Sequence, residues 1–240
     1  MIGTFLEISV TTQDMLASLA FYQALGFQEL ETNDTRTYPY AAVTDGNITI
    51  GLHAREFAEP TTTLVQPDLA KVALQFSETS HLVSMNIDPE TFNEVSLTDA
   101  DGHPLLLVEA RTYSPPRQEP SESLLGEFLE LSLPVRSSMA STQFWAPFSR
   151  NTLGIMQGDE MHMRLDIDGL AIGLSEKVRG RTPQLCYHVT DLAALGRALD
   201  RLGFAMRPCG IGLGECVGQL VTTEGLCLSF LQNDFMQSEF

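Results

Sequence analysis

The sequence predicts an α+β protein built as a tandem repeat of two copies of one module. Three features of the first half return 123 residues later in the chain. They are the run Phe-Leu-Glu at 5–7, the aromatic pair Phe21-Tyr22 and the turn Asp101-Gly102, which return at 128–130, as Phe144-Trp145 and as Glu224-Gly225. Repetition at one fixed offset, at both ends of the unit, is typical of a duplicated structural module.

The composition limits what the chain can bind. It has 240 residues, 43% of them hydrophobic, and a formal net charge of −17. Nucleic acids and anionic membrane surfaces bind clustered Lys and Arg, which this dispersed negative charge does not offer. No apolar run approaches the roughly 20 residues of a membrane span, and the first residues lack the basic and apolar regions of a signal peptide. We therefore expect a cytoplasmic protein with no nucleic-acid or membrane partner.

A proline-rich segment divides the chain. Residues 113–123 contain three prolines among polar residues, which cannot sustain a helix or a central strand. We therefore expect a first module at 1–112, a linker at 113–123, a second module at 124–235 and a tail at 236–240.

Each half begins with a strand and a helix. The apolar residues Phe5, Ile8 and Val10 predict the first strand. Asp14 can cap the following helix, and Gly26-Phe27 ends it. The helix face expected to pack on a sheet carries Met15, Leu16, Leu19, Ala20 and Tyr22.

Turn residues predict the hairpins that follow. Asp45-Gly46 and Asp168-Gly169 lie between alternating runs, which is a strong hairpin signal. Each half should close with a second hairpin, which turns at Asp101-Gly102 in the first half and at Glu224-Gly225 in the second. The remaining strands expected in the first half are 48–52, Val72–Phe76 and Leu105–Val108. The corresponding strands expected in the second half are 170–174, Leu185–Val189 and Leu226–Leu231.

The halves differ in their second helix. Asp191 can cap a helix whose apolar face carries Leu192, Leu195, Leu199 and Leu202. In the first half, the segment from Phe76 to Glu94 is too short for this helix and its strand, so we expect the helix to be lost or reduced to a turn. The linker, the tail or a partner chain would then cover the sheet, which makes a homodimer possible.

All four cysteines lie in the second half, at 186, 209, 216 and 227. None forms a Cys-x-x-Cys pair, and a reducing compartment keeps cysteines as thiols. We expect four buried, unreactive thiols rather than a zinc or redox site.

The order of elements, with its aromatic pair and late turn, resembles the vicinal oxygen chelate superfamily, which includes glyoxalase I, bleomycin-resistance proteins and extradiol dioxygenases. The segments that carry the resemblance are Thr12–Phe27, Asp99–His103, Tyr187–Asp191 and Leu202–Phe204. The resemblance implies that each module is a pair of βαβββ motifs, curled into a cup that is open to a ligand.

The resemblance also implies a divalent metal held by side chains from four strands. The corresponding positions are Glu7, Gly51, Lys71 and Leu106 in the first half, and Glu130, Gly173, Gln184 and Ser229 in the second. Neither set contains a histidine or a second carboxylate, and metal sites need several such donors. We therefore expect a protein without a metal or another cofactor.

Residues that share strand parity with these positions should line the cup. The ligand-binding candidates are Glu7, Lys71, Glu130, Ser132, Gln184, Cys186 and His188. Glu7 and Lys71 are interpreted as an ion pair, so the better pocket is expected in the second module. Glu130 is the candidate catalytic base, because burial raises the pKa of a carboxyl group; the alternative is a carboxylate satisfied by water.

Other polar and aromatic residues are interpreted as structural. His53 and His81 are expected in loops, His162 on a hairpin strand as a structural or exposed residue, and Trp145 in the core. His188 is either a cup residue or a packed surface histidine.

Three functions are consistent with this pattern. The first is a metal-free protein that binds a small organic molecule in the cup of one module. The second is a lyase, isomerase or dioxygenase-like enzyme that uses a glutamate base on a carbonyl substrate. The third is a dimerising interaction module. Fold resemblance alone does not decide among them.

Overall fold

The computed structural model of the chain describes residues 1–32, 37–57, 60–88, 90, 92–110, 123–157, 160–176, 182–209 and 216–232. The predicted tail at 236–240 and all but the last residue of the predicted linker at 113–123 lie outside these residues. The described residues form one sheet of eight strands and one of seven, which confirms an α+β fold with two tandem modules.

The elements follow the same order in both modules, except that the described part of the second module has one strand fewer after its second helix. The first contains β1 (Thr4–Thr11), α1 (Met15–Ala24), β2 (Gln28–Leu30), β3 (Tyr40–Thr44), β4 (Thr49–His53), β5 (Thr61–Val65), α2 (Leu69–Ala73), β6 (Leu82–Asn86), β7 (Glu94–Thr98) and β8 (Pro104–Val108). The second contains β9 (Glu127–Pro134), α3 (Ser138–Trp145), β10 (Asn151–Gln157), β11 (Glu160–Ile167), β12 (Leu170–Ser175), β13 (Gln184–His188), α4 (Leu192–Arg201), β14 (Cys216–Val221) and β15 (Cys227–Leu231). Single turns of 3-10 helix follow α2 at 74–76 and α3 at 146–148.

The strand order shows two βαβββ units in each sheet. It is β2-β3-β4-β1-β5-β8-β7-β6 in the first sheet and β10-β11-β12-β9-β13-β15-β14 in the second. The two units join through the antiparallel pairs β1–β5 and β9–β13, and each central strand is parallel to the last strand of its own unit. Among the described residues, the last unit has one strand fewer, and Arg207 bridges Gln219 there instead.

The predicted helix ends match the structure, but one predicted face does not. Asp14 and Asp191 each accept a hydrogen bond from the backbone N–H three residues on, as N-caps do. After α1 the chain reverses at Gly26, whose φ of 92° is one that residues with a side chain rarely adopt. Leu16 and Ala20 are exposed instead of packed on the sheet. The buried residues of α1 are Ser18, Phe21 and Tyr22.

The strand predicted at Val72–Phe76 is wrong, because residues 69–76 are helical. The strand that corresponds to β13 is β5, whose Thr-Thr-Thr-Leu-Val sequence is rich in β-branched residues that favour strands. The second helix is therefore shortened to five residues of α-helix and a 3-10 turn, and its residues Leu69, Ala73 and Phe76 enter the core. The sheet keeps a helix in this place, so an uncovered sheet no longer supports the possible homodimer, which stays a prediction.

The two faces of each sheet differ in chemistry. On the face that meets the helices, alternate residues are apolar, such as Ile8 on β1 and Leu131 on β9, and they belong to one core cluster shared by both modules. Trp145 is completely buried in this core, as predicted. We call the opposite, more polar face of each sheet the cup face; it carries Glu7 in the first module and Glu130 in the second.

The modules contact each other through equivalent elements. Tyr22 on α1 donates a hydrogen bond to Glu224 in the last turn of the second module, at 3.1 Å. The equivalent Trp145 on α3 donates from Nε1 to Asp99, beside the last turn of the first module, at 3.4 Å. The first helix of each module therefore binds the closing hairpin of the other, and the repeat extends to the interface.

The cysteines are not all thiols. Cys209 and Cys216 form a disulfide, so the expectation of four thiols is wrong for this pair, while Cys186 and Cys227 are free and buried. Disulfides are typical of oxidising compartments, so this pair does not support the expected cytoplasmic location. None of the helices in the described part of the chain is long and apolar enough to cross a membrane.

Candidate functional site

Each cup face carries one buried glutamate on its central strand. Glu7 on β1 lies opposite Thr63 on β5, and Glu130 on β9 lies opposite Cys186 on β13. Both glutamates are almost completely buried. A buried carboxylate needs hydrogen bonds or an ion pair, so the groups around each one indicate what the cup can do.

Glu7 has several partners within the protein. His53 Nε2 donates to Oε1 at 2.7 Å, Ser9 Oγ donates to the same oxygen at 2.7 Å, and Tyr40 Oη donates to Oε2 at 2.5 Å. Ser9 Oγ also lies 2.7 Å from the Thr63 hydroxyl. Both carboxylate oxygens are thus satisfied by neighbouring side chains.

These contacts determine the ionisation of Glu7. Complete burial would raise its pKa, but the hydrogen bond and charge of His53, with the hydroxyls of Tyr40 and Ser9, lower the pKa below its ordinary value of 4.5. The other ring nitrogen of His53 lies 3.2 Å from the Tyr38 hydroxyl. The first cup therefore holds an ionised carboxylate inside a closed hydrogen-bonded network.

The sequence interpretation of His53 as a loop residue is wrong. His53 is the last residue of β4, completely buried, and lies two residues beyond Gly51 on the same face. Alternate residues of a strand point to the same face, so His53 could have been assigned to the cup face from its position two residues after Gly51. Tyr40 follows from the hairpin register, because it lies opposite His53.

Glu130 has fewer partners than Glu7. His162 Nε2 donates to Oε2 at 3.1 Å, and Arg164 Nε lies 4.0 Å from the same oxygen. Arg164 also donates from Nη2 to the Leu129 carbonyl at 2.9 Å. The Oε1 atom receives no hydrogen bond from any residue that the structure describes. His162 is buried, which agrees with a structural role and not with an exposed one.

Glycine makes room for both carboxylates. A Cβ atom added at Gly51 would overlap the Glu7 carboxylate, and one added at Gly173 would overlap the Glu130 carboxylate. The two glycines are directly opposite Ser9 and Ser132 on the neighbouring strands. They occupy the position where the resemblance implies a metal-ligating glutamate, and the first-strand carboxylate fills that space instead.

Ser132 differs from Ser9 in its hydrogen bonding. Both serines are completely buried on the cup face. Ser9 contacts Glu7 and Thr63, whereas the Ser132 hydroxyl has no hydrogen-bond partner among the described residues. The cause is a change of neighbours, because Cys186 replaces Thr63 at the equivalent position and Glu130 points to His162.

A second polar cluster lies beside Ser132. Gln184 is directly opposite Ser132, and its Oε1 accepts from Ser229 Oγ at 2.8 Å and from Gln219 Nε2 at 3.4 Å. Gln219 Nε2 also lies 3.1 Å from Ser229 Oγ. These contacts fix the amide of Gln184 with its oxygen toward β14 and β15.

Cys186 and His188 continue along the same face of β13. Cys186 Sγ lies 3.9 Å from the Gln184 carbonyl, and Cys186 packs with Leu129 and Leu231. Burial raises the pKa of the Cys186 thiol well above its usual value, and the charge of Glu130 acts in the same direction. The thiol is therefore an apolar part of the wall and not a nucleophile. His188 is half-buried at the end of the strand.

Lys71 is not a cup residue. It lies on α2, its side chain is 75% exposed, and it pairs with Asp68 at 2.7 Å. The predicted Glu7–Lys71 pair is therefore wrong, because the fifth strand was misplaced. Thr61 on β5 lies opposite Ser9, as Gln184 lies opposite Ser132, so Thr61 occupies the fifth-strand position of the first module.

These residues do not fit the metal that the resemblance implies. With Lys71 corrected to Thr61, each set of four positions still contains one carboxylate and no imidazole. No group of three or more His, Cys, Asp or Glu side chains suited to a metal ion occurs among the described residues. A divalent transition metal needs more donors of this kind than either cup offers.

Several solved structures share this fold. A catechol 2,3-dioxygenase is 10% identical, with a TM-score of 0.58 over 97% of this chain and 88% of that chain. An extradiol ring-cleaving dioxygenase from B. fuscum is 10% identical, with a TM-score of 0.61 over 99% and 74%. The Mn(II)-bound glyoxalase from Novosphingobium aromaticivorans is 12% identical, with a TM-score of 0.59 over 98% and 86%. At such identities the likeness shows the fold alone.

Sequence comparison identifies the family. A search of curated proteins finds no match. A family model described as the Glyoxalase/Bleomycin resistance protein/Dioxygenase superfamily matches residues 4–147, which is more than half of the chain. The paired βαβββ units of both sheets agree with this match. The chain therefore belongs to the glyoxalase/bleomycin resistance protein/dioxygenase superfamily.

Proposed function

We propose that the chain is a metal-free small-molecule-binding protein whose ligand lies in the cup of the second module. The observation that carries this proposal is the buried Ser132 hydroxyl, which has no hydrogen-bond partner among the described residues. Leaving a buried hydroxyl unpaired costs about 1–3 kcal/mol. A polar ligand group that reaches Ser132 would recover this free energy, and no comparable gain is available at the paired Ser9.

The groups around Ser132 support a ligand site. Glu130 and Gln184 each keep polar atoms that no described residue binds. The partly buried Leu129 and Leu231, which pack on Cys186, supply an apolar surface beside them. Ligand sites combine apolar walls with a few placed polar groups in this way. His188, at the end of the same strand, is proposed to contact the outer part of the ligand.

The alternative function is an enzyme of the same superfamily that acts on a carbonyl substrate. Its support is the contact between Glu130 and His162, at 3.1 Å. A carboxylate and an imidazole in contact can hold and release a proton, as general acid–base catalysis requires. In such a lyase or isomerase, Glu130 would take a proton from the substrate and His162 would orient the carboxylate.

The proposal is tested by finding what the protein binds. Native mass spectrometry of the purified chain would detect a co-purified compound, and thermal-shift titration with a panel of small molecules would find others. Glu130→Ala or Gln184→Ala should weaken binding of the compound found by about 1–3 kcal/mol. Lys71→Ala is the control outside the cup, and Glu7→Gln is the control in the first cup.

The outcomes separate the two functions. Binding that depends on Glu130 and Gln184 without product formation supports a binding protein, and conversion of the compound supports the enzyme. Losses caused by Glu7→Gln, with Glu130→Ala and Gln184→Ala unaffected, would move the site to the first module and overturn the proposal.

The absence of a metal requirement needs its own measurement. Elemental analysis of the purified protein is expected to find no stoichiometric transition metal, because neither cup has the donors for one. About one zinc, nickel, iron or manganese ion per chain, with a lower melting temperature after chelation, would contradict this part of the proposal.

A further inference from the structure

We infer that the second cup is built for an uncharged ligand with a hydrogen-bond acceptor and a hydrogen-bond donor on neighbouring atoms, as in a carboxamide. This inference rests on the proposed function, since it names the ligand class of the same site. Three features of the cup carry it: the fixed amide of Gln184, the open side of the Glu130 carboxylate and the apolar surface at Cys186.

The Gln184 amide presents donors to the cup. Its oxygen is occupied by Ser229 Oγ at 2.8 Å and by Gln219 Nε2 at 3.4 Å. The amide plane is thereby oriented, and its NH₂ group makes no hydrogen bond to any residue in the described part of the chain. An amide NH₂ can only donate, so the matching ligand atom is an acceptor such as a carbonyl oxygen.

The Glu130 carboxylate presents an acceptor. Its Oε2 atom is bound by His162 at 3.1 Å and faces Arg164, while Oε1 lies over Gly173 without a donor among the described residues. A carboxylate oxygen only accepts, so the matching ligand atom carries a proton. Burial makes this contact selective, because a buried acceptor that faces a second acceptor is left without a hydrogen bond.

The two groups are placed to bind one ligand group together. Ser132 lies directly opposite Gln184, and Cys186 lies directly opposite Glu130, so Gln184 and Glu130 are diagonal neighbours on antiparallel strands. At this spacing the two residues lie about 7–8 Å apart and their Cβ atoms somewhat closer. One planar ligand group must therefore span from Glu130 Oε1, which lies over Gly173, to the Gln184 amide beside Ser229. The Ser132 hydroxyl lies on the same face and is completely buried.

Charge and apolar contacts narrow the class further. A carboxylate ligand would satisfy Gln184 but would place its second oxygen against Glu130. An amidinium ligand would satisfy Glu130 but would place a donor against the Gln184 NH₂ group. Arg164 is already engaged by the Leu129 carbonyl and Glu130. Leu129 and Leu231, which are partly buried and pack on Cys186, offer a small apolar surface for the body of the ligand.

Three probes of nearly equal shape test the inference: benzamide, benzoate and benzamidine. Their affinities for the full-length protein would be measured by NMR titration in the millimolar range expected of fragments. We expect benzamide to bind at least about 10-fold more tightly than either charged analogue. Equal or tighter binding of benzoate or benzamidine, or no binding of benzamide, would overturn the ligand class.

A substitution that keeps the shape of the cup gives a second readout. Glu130→Gln can turn an amide NH₂ toward the ligand, so the preference for benzamide over benzoate should fall by about 10-fold or reverse. Glu7→Gln in the first cup is the matched control and should leave the preference unchanged. A preference that Glu130→Gln does not alter would contradict the role of Glu130.

The failure of this inference differs from the failure of the proposed function. If benzoate or benzamidine binds best and Gln184→Ala weakens it, the site stands and the ligand class is wrong. If no probe binds and native mass spectrometry detects no ligand on the purified chain, the proposed function fails as well.

Discussion

The first and second modules carry the same buried glutamate and surround it differently. Glu7 is bound by an imidazole, a phenol and a serine hydroxyl, and its neighbours Ser9 and Thr63 are bound to each other. Among the described residues, Glu130 is bound on one oxygen only, and the hydroxyl beside it has no partner. The first cup is therefore closed by its own hydrogen bonds, whereas the second keeps polar groups that no described residue binds.

A few substitutions account for this difference. Cys186 replaces Thr63 opposite the glutamate, which removes the hydroxyl that binds Ser9 in the first module. Ser175 in the second module occupies the position that His53 has in the first, because Ser175 pairs with Pro134 as His53 pairs with Thr11. The strongest donor to the carboxylate is thereby lost. Both modules keep the glutamate, so the hydrogen-bond partners of each glutamate distinguish the two cups better than the glutamate itself does.

Removal of each glutamate should have the largest effect on the free energy of unfolding. Glu7→Ala should lower the free energy of unfolding by about 3–5 kcal/mol, because it leaves His53, Tyr40 and Ser9 buried without their common partner. Glu130→Ala should cost about 1–3 kcal/mol, since fewer groups lose a partner. Urea unfolding of the full chain, followed by circular dichroism, measures both. Equal losses would show that the two carboxylates have the same structural weight.

The sequence predicted the parts of the fold that depend on local signals. The caps at Asp14 and Asp191 and the Asp-Gly hairpins follow from short-range chemistry, and the repeat located Glu7 and Glu130 on equivalent strands. The segment around Lys71 was misplaced because Leu-Ala-Lys-Val-Ala fits either a short helix or a strand.

The partners of the two glutamates were harder to predict. His53 and His162 come from different strands of the two modules, so the repeat offers no common position for them. Their contacts depend on the hairpin register and on the space left by Gly51 and Gly173. The Cys209–Cys216 disulfide also depends on tertiary geometry, which spacing in the sequence does not reveal.

The second largest effect is expected at the glycines that make room for the carboxylates. Gly51→Ala should destabilise the chain by about 2–3 kcal/mol, because the new methyl group displaces the Glu7 carboxylate from its donors. Gly173→Ala should destabilise it less and should reduce ligand binding, since the Glu130 carboxylate must move into the cup. Thermal unfolding and the benzamide titration measure the two effects. Tighter benzamide binding by Gly173→Ala would argue against the described position of Glu130.

The third comparison uses the two buried serines. Ser9→Ala should cost about 1–3 kcal/mol, because Thr63 and Glu7 each lose a hydrogen bond. Ser132→Ala should leave the unliganded protein equally stable or slightly more stable, since it removes an unpaired buried hydroxyl. The same variant should bind ligand more weakly. If Ser132→Ala destabilises the free protein as much as Ser9→Ala does, Ser132 has a partner and the comparison fails.

The smallest effect is expected from Glu7→Gln at acid pH, because the isosteric side chain keeps most of the network. The folded-state pKa of Glu7 is lowered below its ordinary value of 4.5, so the ionised carboxylate stabilises the fold above that pH. This contribution is lost as the pH falls through the folded-state pKa. Wild-type stability should therefore fall below about pH 4.5, and Glu7→Gln should show a shallower fall.

Asp101 should contribute part of the pH dependence in both proteins. Burial would raise the pKa of Asp101, but its hydrogen bonds and ion pair with Arg136 lower this pKa below its ordinary value. Unfolding midpoints measured from pH 3 to 6 test this, and identical slopes would mean that Glu7 does not carry its charge into the folded first cup.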